Sequence, residues 1–80
     1  MNLFLFYSPT ALRYWLYGLP QWQRERVAEA TTALLYQPRP GAATLISGGT
    51  YFLFAGDRRV VYRIYEDDAG ADVSVGVLRV

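Results

Sequence analysis

Cysteine, histidine and lysine are all missing from this sequence. Without cysteine there is no disulfide framework and no thiolate metal site. Without histidine, zinc and iron lose their usual nitrogen ligand, and carboxylates alone favour hard cations. No metal and no cofactor are expected. Long apolar stretches are missing too: no unbroken run exceeds Leu3–Tyr7, far short of a membrane span. No basic segment precedes that run and no small-residue cleavage site follows it, so a signal peptide is not expected. The expectation is a soluble, cytoplasmic protein with no membrane partner. Strong charge is also lacking. A net charge of +1 is a poor signature for a nucleic-acid binder, so any such contact has to come from local clustering.

What is present is apolar bulk and arginine. Eighty residues make one domain, 1–80, close to the size at which a single core only just suffices. Hydrophobic residues at 52% and aromatics at 16% supply that core and exclude a disordered chain. All eight basic residues are arginine. A guanidinium is no general base near neutral pH, but its planar fork suits phosphate. A coding bias toward arginine gives the same count, so position has to decide.

The organising stretch is Gly56-Asp57-Arg58-Arg59-Val60-Val61-Tyr62-Arg63-Ile64-Tyr65-Glu66. A Gly-first pair suits a type II′ hairpin turn, with Thr50–Ala55 as the partner strand. Period-two alternation puts Val60, Tyr62 and Ile64 on a core face and Arg59, Val61, Arg63 and Tyr65 on the other. Earlier in the chain, Leu3-Phe4-Leu5-Phe6-Tyr7 is apolar at every position, as in a strand covered on both sides. Ser8 and Pro9 open a helix as N-cap and first residue, with Leu12, Trp15, Leu16 and Leu19 as its apolar stripe. A second helix is predicted from about Pro20 to Tyr36, facing inward with Val27, Ala30, Thr31 and Leu34. Pro38-Arg39-Pro40-Gly41 stops it. Ala42 to Gly49 should cross over as a loop, with Leu45 and Ile46 tucked against the core. Asp67-Asp68-Ala69-Gly70 is a turn by composition. Asp72 to Val80 is the last strand, with Val73, Val75, Val77 and Arg79 on one face. Small residues at Ser74 and Gly76 suggest a close neighbour such as a helix. The predicted fold is α+β: a strand, a helical hairpin, then three strands (βααβββ), with two helices covering a mainly antiparallel sheet.

Arg59 and Arg63 share one strand face, Arg79 belongs to a strand expected beside it, and Arg58 stands at the turn. Guanidiniums converging on a sheet hold a phosphodiester and stabilise charge building on it during cleavage. Tyr65, Phe52 or Phe54 offers a ring for a base. The competing reading pairs these arginines with Glu66, Asp67, Asp68 and Asp72 as a solvated surface. Cleavage through a ribose 2′-hydroxyl also needs proton movement. The available groups are Tyr7, Tyr51, Tyr62, Tyr65 and the carboxylates, of which Glu66 is nearest the arginine face. A tyrosine serves as a base only if neighbouring arginines lower its pKa. In the helical hairpin, Trp15 belongs to the core stripe. Trp22 is either an anchor for a protein partner or packed under the preceding loop.

Several strings, taken in order, resemble the RelE/ParE superfamily, the toxins of bacterial type II toxin–antitoxin systems. They are Phe6-Tyr7-Ser8-Pro9 with Ala11, Leu34 to Pro38 with Pro40, Leu45-Ile46-Ser47-Gly48, and above all Gly56 to Ile64. The resemblance implies a toxin neutralised by a cognate antitoxin, a longer acidic chain that folds over the arginine face or the hairpin groove. The expected state is a monomer or a toxin–antitoxin hetero-oligomer. In the nuclease branch, ribosome-dependent mRNA endonucleases, it implies Arg59 on the RNA phosphate and Arg79 assisting. Arg58, Arg63, Phe52 and Phe54 then contribute to RNA binding, and Tyr65 or Glu66 moves protons. In the other branch the target is DNA gyrase and no nuclease chemistry is involved; a third possibility is a member retaining only antitoxin binding. Two departures bear on the choice. Phe52 and Phe54 stand where ribosome-dependent members often carry basic residues, and no counterpart of the family's C-terminal tail follows Val80. Aligned with gyrase-directed relatives instead, Val77-Leu78-Arg79-Val80 makes Arg79 a strand-interior residue.

Overall fold

The computed structural model describes residues 2–67, 70 and 72–80. Its elements run β1 (Asn2–Tyr7), α1 (Pro9–Tyr17), α2 (Gln21–Ala33), β2 (Thr44–Ser47), β3 (Thr50–Ala55), β4 (Arg58–Glu66) and β5 (Asp72–Arg79). The five strands form one sheet in the order β1-β5-β4-β3-β2. β1 pairs with β5 in parallel, and every other neighbouring pair is antiparallel. α1 lies over β5 and β1, and α2 over β3 and β4. Both helices cover the same face. The other face is left open.

The alternation in β4 sets this arrangement. Val60, Tyr62 and Ile64 are buried and meet Leu53, Ala55, Val73, Val75 and Val77 from the adjacent strands. Val27, Thr31 and Leu34 of the α2 segment close the layer from above. Each fully buried large aliphatic side chain contributes about 1.5–3 kcal/mol. The β3–β4 turn is left-handed at Gly56 (φ 66°), and no non-glycine residue described has positive φ. That matches the turn predicted for a Gly-first pair. Ser8 caps α1 as expected: its Oγ accepts from the Ala11 N–H at 3.1 Å and donates to the Leu78 carbonyl at 3.1 Å.

Several expectations are corrected. The segment 42–49 holds a strand, β2, so the order is βααββββ. Leu45 and Ile46 are exposed there, because β2 is an edge strand beyond the reach of the helices. α2 ends at Ala33 and gives way to a turn over residues 34–36. In α1 the buried line is Ala11 with half-buried Trp15 and then Leu19, while Leu12 and Leu16 face out. Alanine at the contact lets the helix sit close to β5. β1 is covered on one side only: Leu5 and Tyr7 pack on the core, whereas Phe4 and Phe6 are exposed. The close neighbour of Gly76 is no helix but the Phe6 ring on the open face. Trp22 is exposed, with the Arg26 guanidinium 5.8 Å from its ring. Part of the expected turn, Asp68 and Ala69, lies outside the described residues.

The remaining departure concerns β5. Val61 pairs with Arg79 but Tyr62 pairs with Val77, so Leu78 is an extra residue in β5. Such a bulge changes the parity of everything beyond it. Arg79, expected on the face of Val73, Val75 and Val77, is transferred to the open face, and Val80 packs against the core instead.

Candidate nucleic-acid interface

Arg59, Arg63 and Arg79 meet on the open face of β4 and β5. All three are exposed, and among the described residues none forms an ion pair. Arg59 and Arg79, with Ile46, Val61 and Val80, line a concavity of about 320 Å³. The Arg59 guanidinium lies 4.4 Å from the Phe52 ring, and Phe54 packs edge-on against Phe52 at 6.0 Å. A guanidinium held against a ring loses rotamer freedom before any ligand arrives, while its outer edge keeps its N–H donors. Further along β4, Arg63 donates to Thr50 Oγ1 at 3.4 Å and sits 5.6 Å from the Tyr65 ring. Cations without carboxylates, interleaved with rings on a sheet, are the elements of a single-strand nucleic-acid surface.

Other candidates fall elsewhere. Arg58 has the parity of the core residues and turns under α1. Its guanidinium lies 5.2 Å from the Tyr14 ring and donates to the Val80 carbonyl at 3.4 Å. Its buried Nε has no hydrogen-bond partner among the described residues. It meets Arg79 only in a second concavity of about 340 Å³, lined also by Thr10, Ala11 and Tyr14. Glu66 has the same helix-side parity and is bound to Arg39 in an exposed ion pair. That contact, strengthened by a hydrogen bond from Arg39 to the Tyr51 phenol, raises the Arg39 pKa. Tyr65 is on the arginine face, but six residues of strand, about 20 Å, separate it from Arg59. No tyrosine side chain spans that gap. Glu66 and Tyr65 are therefore not brought to the Arg59–Arg79 pair.

The remaining phenols serve the core. Tyr62 donates to the Pro38 carbonyl at 2.9 Å and stacks on Tyr51 at 5.7 Å; burial pushes its pKa up to about 12. Tyr7 is also raised, by burial, against a smaller opposing effect of its hydrogen bond with Thr31. Because Thr31 Oγ1 donates to the Val27 carbonyl at 2.9 Å, the Tyr7 hydroxyl donates to Thr31, at 2.8 Å. Neither phenol faces the arginines.

Ile46, Thr50, Phe6 and Gly76 belong to the open face, though the sequence marks none of them as a site residue. A Gly48-Gly49 pair between apolar runs is a hairpin signal that would have revealed β2. Alternation in β1 would have placed Phe4 and Phe6 together. Among the described residues no group of acidic side chains is arranged to hold a metal ion, and no helix is long and apolar enough to cross a membrane.

In sequence the chain matches no protein-family model and no curated protein. In structure it is similar to a chain of the archaeal RelE–RelB complex from Pyrococcus horikoshii OT3. The TM-score is 0.73 and the identity 20%, over 99% of this chain and 92% of the other. The protein thus has a RelE-like fold.

Proposed function

We propose that this protein is the toxin of a type II toxin–antitoxin pair and acts as a ribosome-dependent mRNA endonuclease in the cytoplasm. The observation that carries the reading is the gathering of Arg59, Arg63 and Arg79, none of them ion-paired among the described residues, on the one sheet face the helices leave open. In this reading Arg59 and Arg79 hold the scissile phosphate in their shared concavity, and Arg63 holds a neighbouring one. The ribose 2′-oxygen attacks phosphorus, the P–O5′ bond breaks, and the arginines stabilise the charge added at phosphorus. The products are a 2′,3′-cyclic phosphate and a 5′-hydroxyl. The 2′-hydroxyl proton passes to water and water returns one to the leaving 5′-oxygen, since no described side chain beside the two arginines exchanges one at neutral pH. Such a site stabilises charge but depends on its substrate being aligned for in-line attack. That dependence suits an mRNA held rigid on the ribosome. An acidic antitoxin segment laid over the same arginines neutralises the toxin by occupying their forks.

Primer extension on mRNA from expressing cells tests this. Codon-positioned cuts are expected with the unaltered chain. They should fall at least 100-fold in Arg59→Ala, the scale of losing one charge-stabilising donor. Cuts absent from the unaltered chain, or unchanged in the variant, reject the reading.

The lack, among the described residues, of a proton acceptor beside Arg59 favours a second reading, inhibition of DNA gyrase by protein contact through the helical hairpin, where Tyr17 and Trp22 are exposed. Unaffected supercoiling by purified gyrase removes it. If both assays are negative, the chain is a member retaining only antitoxin binding.

A further inference from the structure

The far end of the open face carries a feature that phosphate binding does not need. Phe6 from β1 and Tyr65 from β4 flank β5, and their rings meet at 5.9 Å with 29° between their planes. Beneath them is Gly76, the residue paired with Phe6 on one side and Arg63 on the other. A Cβ at Gly76 would stand 2.5 Å from Phe6 Cζ and 3.0 Å from Tyr65 Cε2. Glycine therefore lets both rings close over the backbone of β5. The ordinary role of such rings is to shield a glycine in a sheet. Shielding accounts for the burial of Gly76, yet Phe6 is 44% and Tyr65 43% exposed, with Phe4 beside them at 50%.

An aromatic surface left in water next to cations suits one class of ligand, which brings a flat ring and a negative charge together. Arg63, 5.6 Å from the Tyr65 ring, would meet a phosphate adjoining a base stacked there. The distance of about 20 Å from Tyr65 to Arg59 exceeds one nucleotide and is bridged by a few extended ones. A single RNA strand thus reaches both ends of the face at once. We propose that Phe6 and Tyr65, closed over Gly76, form a base-stacking platform that sets the register of single-stranded RNA relative to the phosphate held by Arg59 and Arg79. Stacking tolerates any base, so the platform fixes which phosphodiester enters the concavity, not which base precedes it. It presupposes that this face receives RNA, the reading given above.

The experiment titrates the full chain, at low ionic strength, into tetraribonucleotides, just long enough to reach both ends of the face and so held in one register, carrying the fluorescent base 2-aminopurine at each position in turn. Stacking quenches that base. The expected result is strong quenching at one or two positions only, removed in Tyr65→Leu with affinity about fivefold to 100-fold weaker. Gly76→Ala should also remove it, by displacing the Phe6 ring while keeping both aromatics. Circular dichroism of each variant reports folding, and Phe6→Leu replaces Gly76→Ala if that variant does not fold. Quenching equal at all positions, quenching unchanged in the variants, or no binding would each overturn the platform. The cleavage reading is judged separately by the Arg59-dependent cuts. Cuts with uniform quenching reject the platform alone; positional quenching without cuts rejects the nuclease alone.

Discussion

At the centre of the core, Tyr62 keeps its phenol protonated far above the ordinary range. In the unfolded chain a tyrosine ionises near 10, whereas in the folded protein burial raises Tyr62 to about 12. Below pH 10 both states hold the proton and its stabilising contribution is fully present. Between pH 10 and 12 the unfolded state releases the proton first, so stability falls as pH rises, by about 3 kcal/mol for this group. Denaturant titrations across that window should show the fall. Tyr62→Phe should reduce it without abolishing it, because Tyr7 is raised as well. At neutral pH the same change should cost about 1 kcal/mol, through the unpartnered Pro38 carbonyl. A different outcome is expected for Glu66. Its ion pair with Arg39 is exposed, at 44% and 53% for the two side chains, and contributes about 0–1 kcal/mol. Glu66→Gln should leave stability within that range and codon-positioned cutting unchanged; a loss of cutting would return Glu66 to the chemistry.

The β3–β4 hairpin was legible because Gly56 supplies the positive φ and Val60, Tyr62 and Ile64 alternate cleanly with arginines. The same alternation, carried two residues further, places Glu66 with the core residues and away from the arginines; counting strand rise separates Tyr65 from Arg59. Those two misplacements were readable from the sequence. The bulge was not. Val77 and Leu78 are both apolar, no glycine marks the extra residue, and the register belongs to the pairing with β4 rather than to β5 itself. Nor does the α1 sequence show that Ala11 makes the closest contact, since its leucines are the more apolar residues. Ser8 links these elements, capping α1 while donating to the carbonyl of the bulged Leu78. Ser8→Ala should therefore cost about 1–2 kcal/mol. For a chain of this size that lowers the melting temperature by roughly 4–16 °C, as calorimetry would measure.

For the whole molecule, a near-neutral total charge conceals a local cluster: three arginines crowd the open face, and among the described residues none of them is ion-paired. Binding of a single strand through two phosphates, one shared by Arg59 and Arg79 and one held by Arg63, predicts a log–log salt slope of about −1.4. Titrations at several salt concentrations should give that value, and removing Arg63 should reduce it by about 0.7. A slope near zero would mean that the rings, not the guanidiniums, carry the affinity.

The sheet order also has a consequence in time. β5 follows every other strand in the sequence yet lies between β1 and β4, and it carries Arg79. While this chain is being translated, its first strand waits without a neighbour until the last has emerged. A half-made copy has neither a closed core nor Arg79 beside Arg59. Under the proposed function, the ribosome that makes this protein is thus spared by the order of synthesis, and cleavage begins only once β5 is free to slide into place.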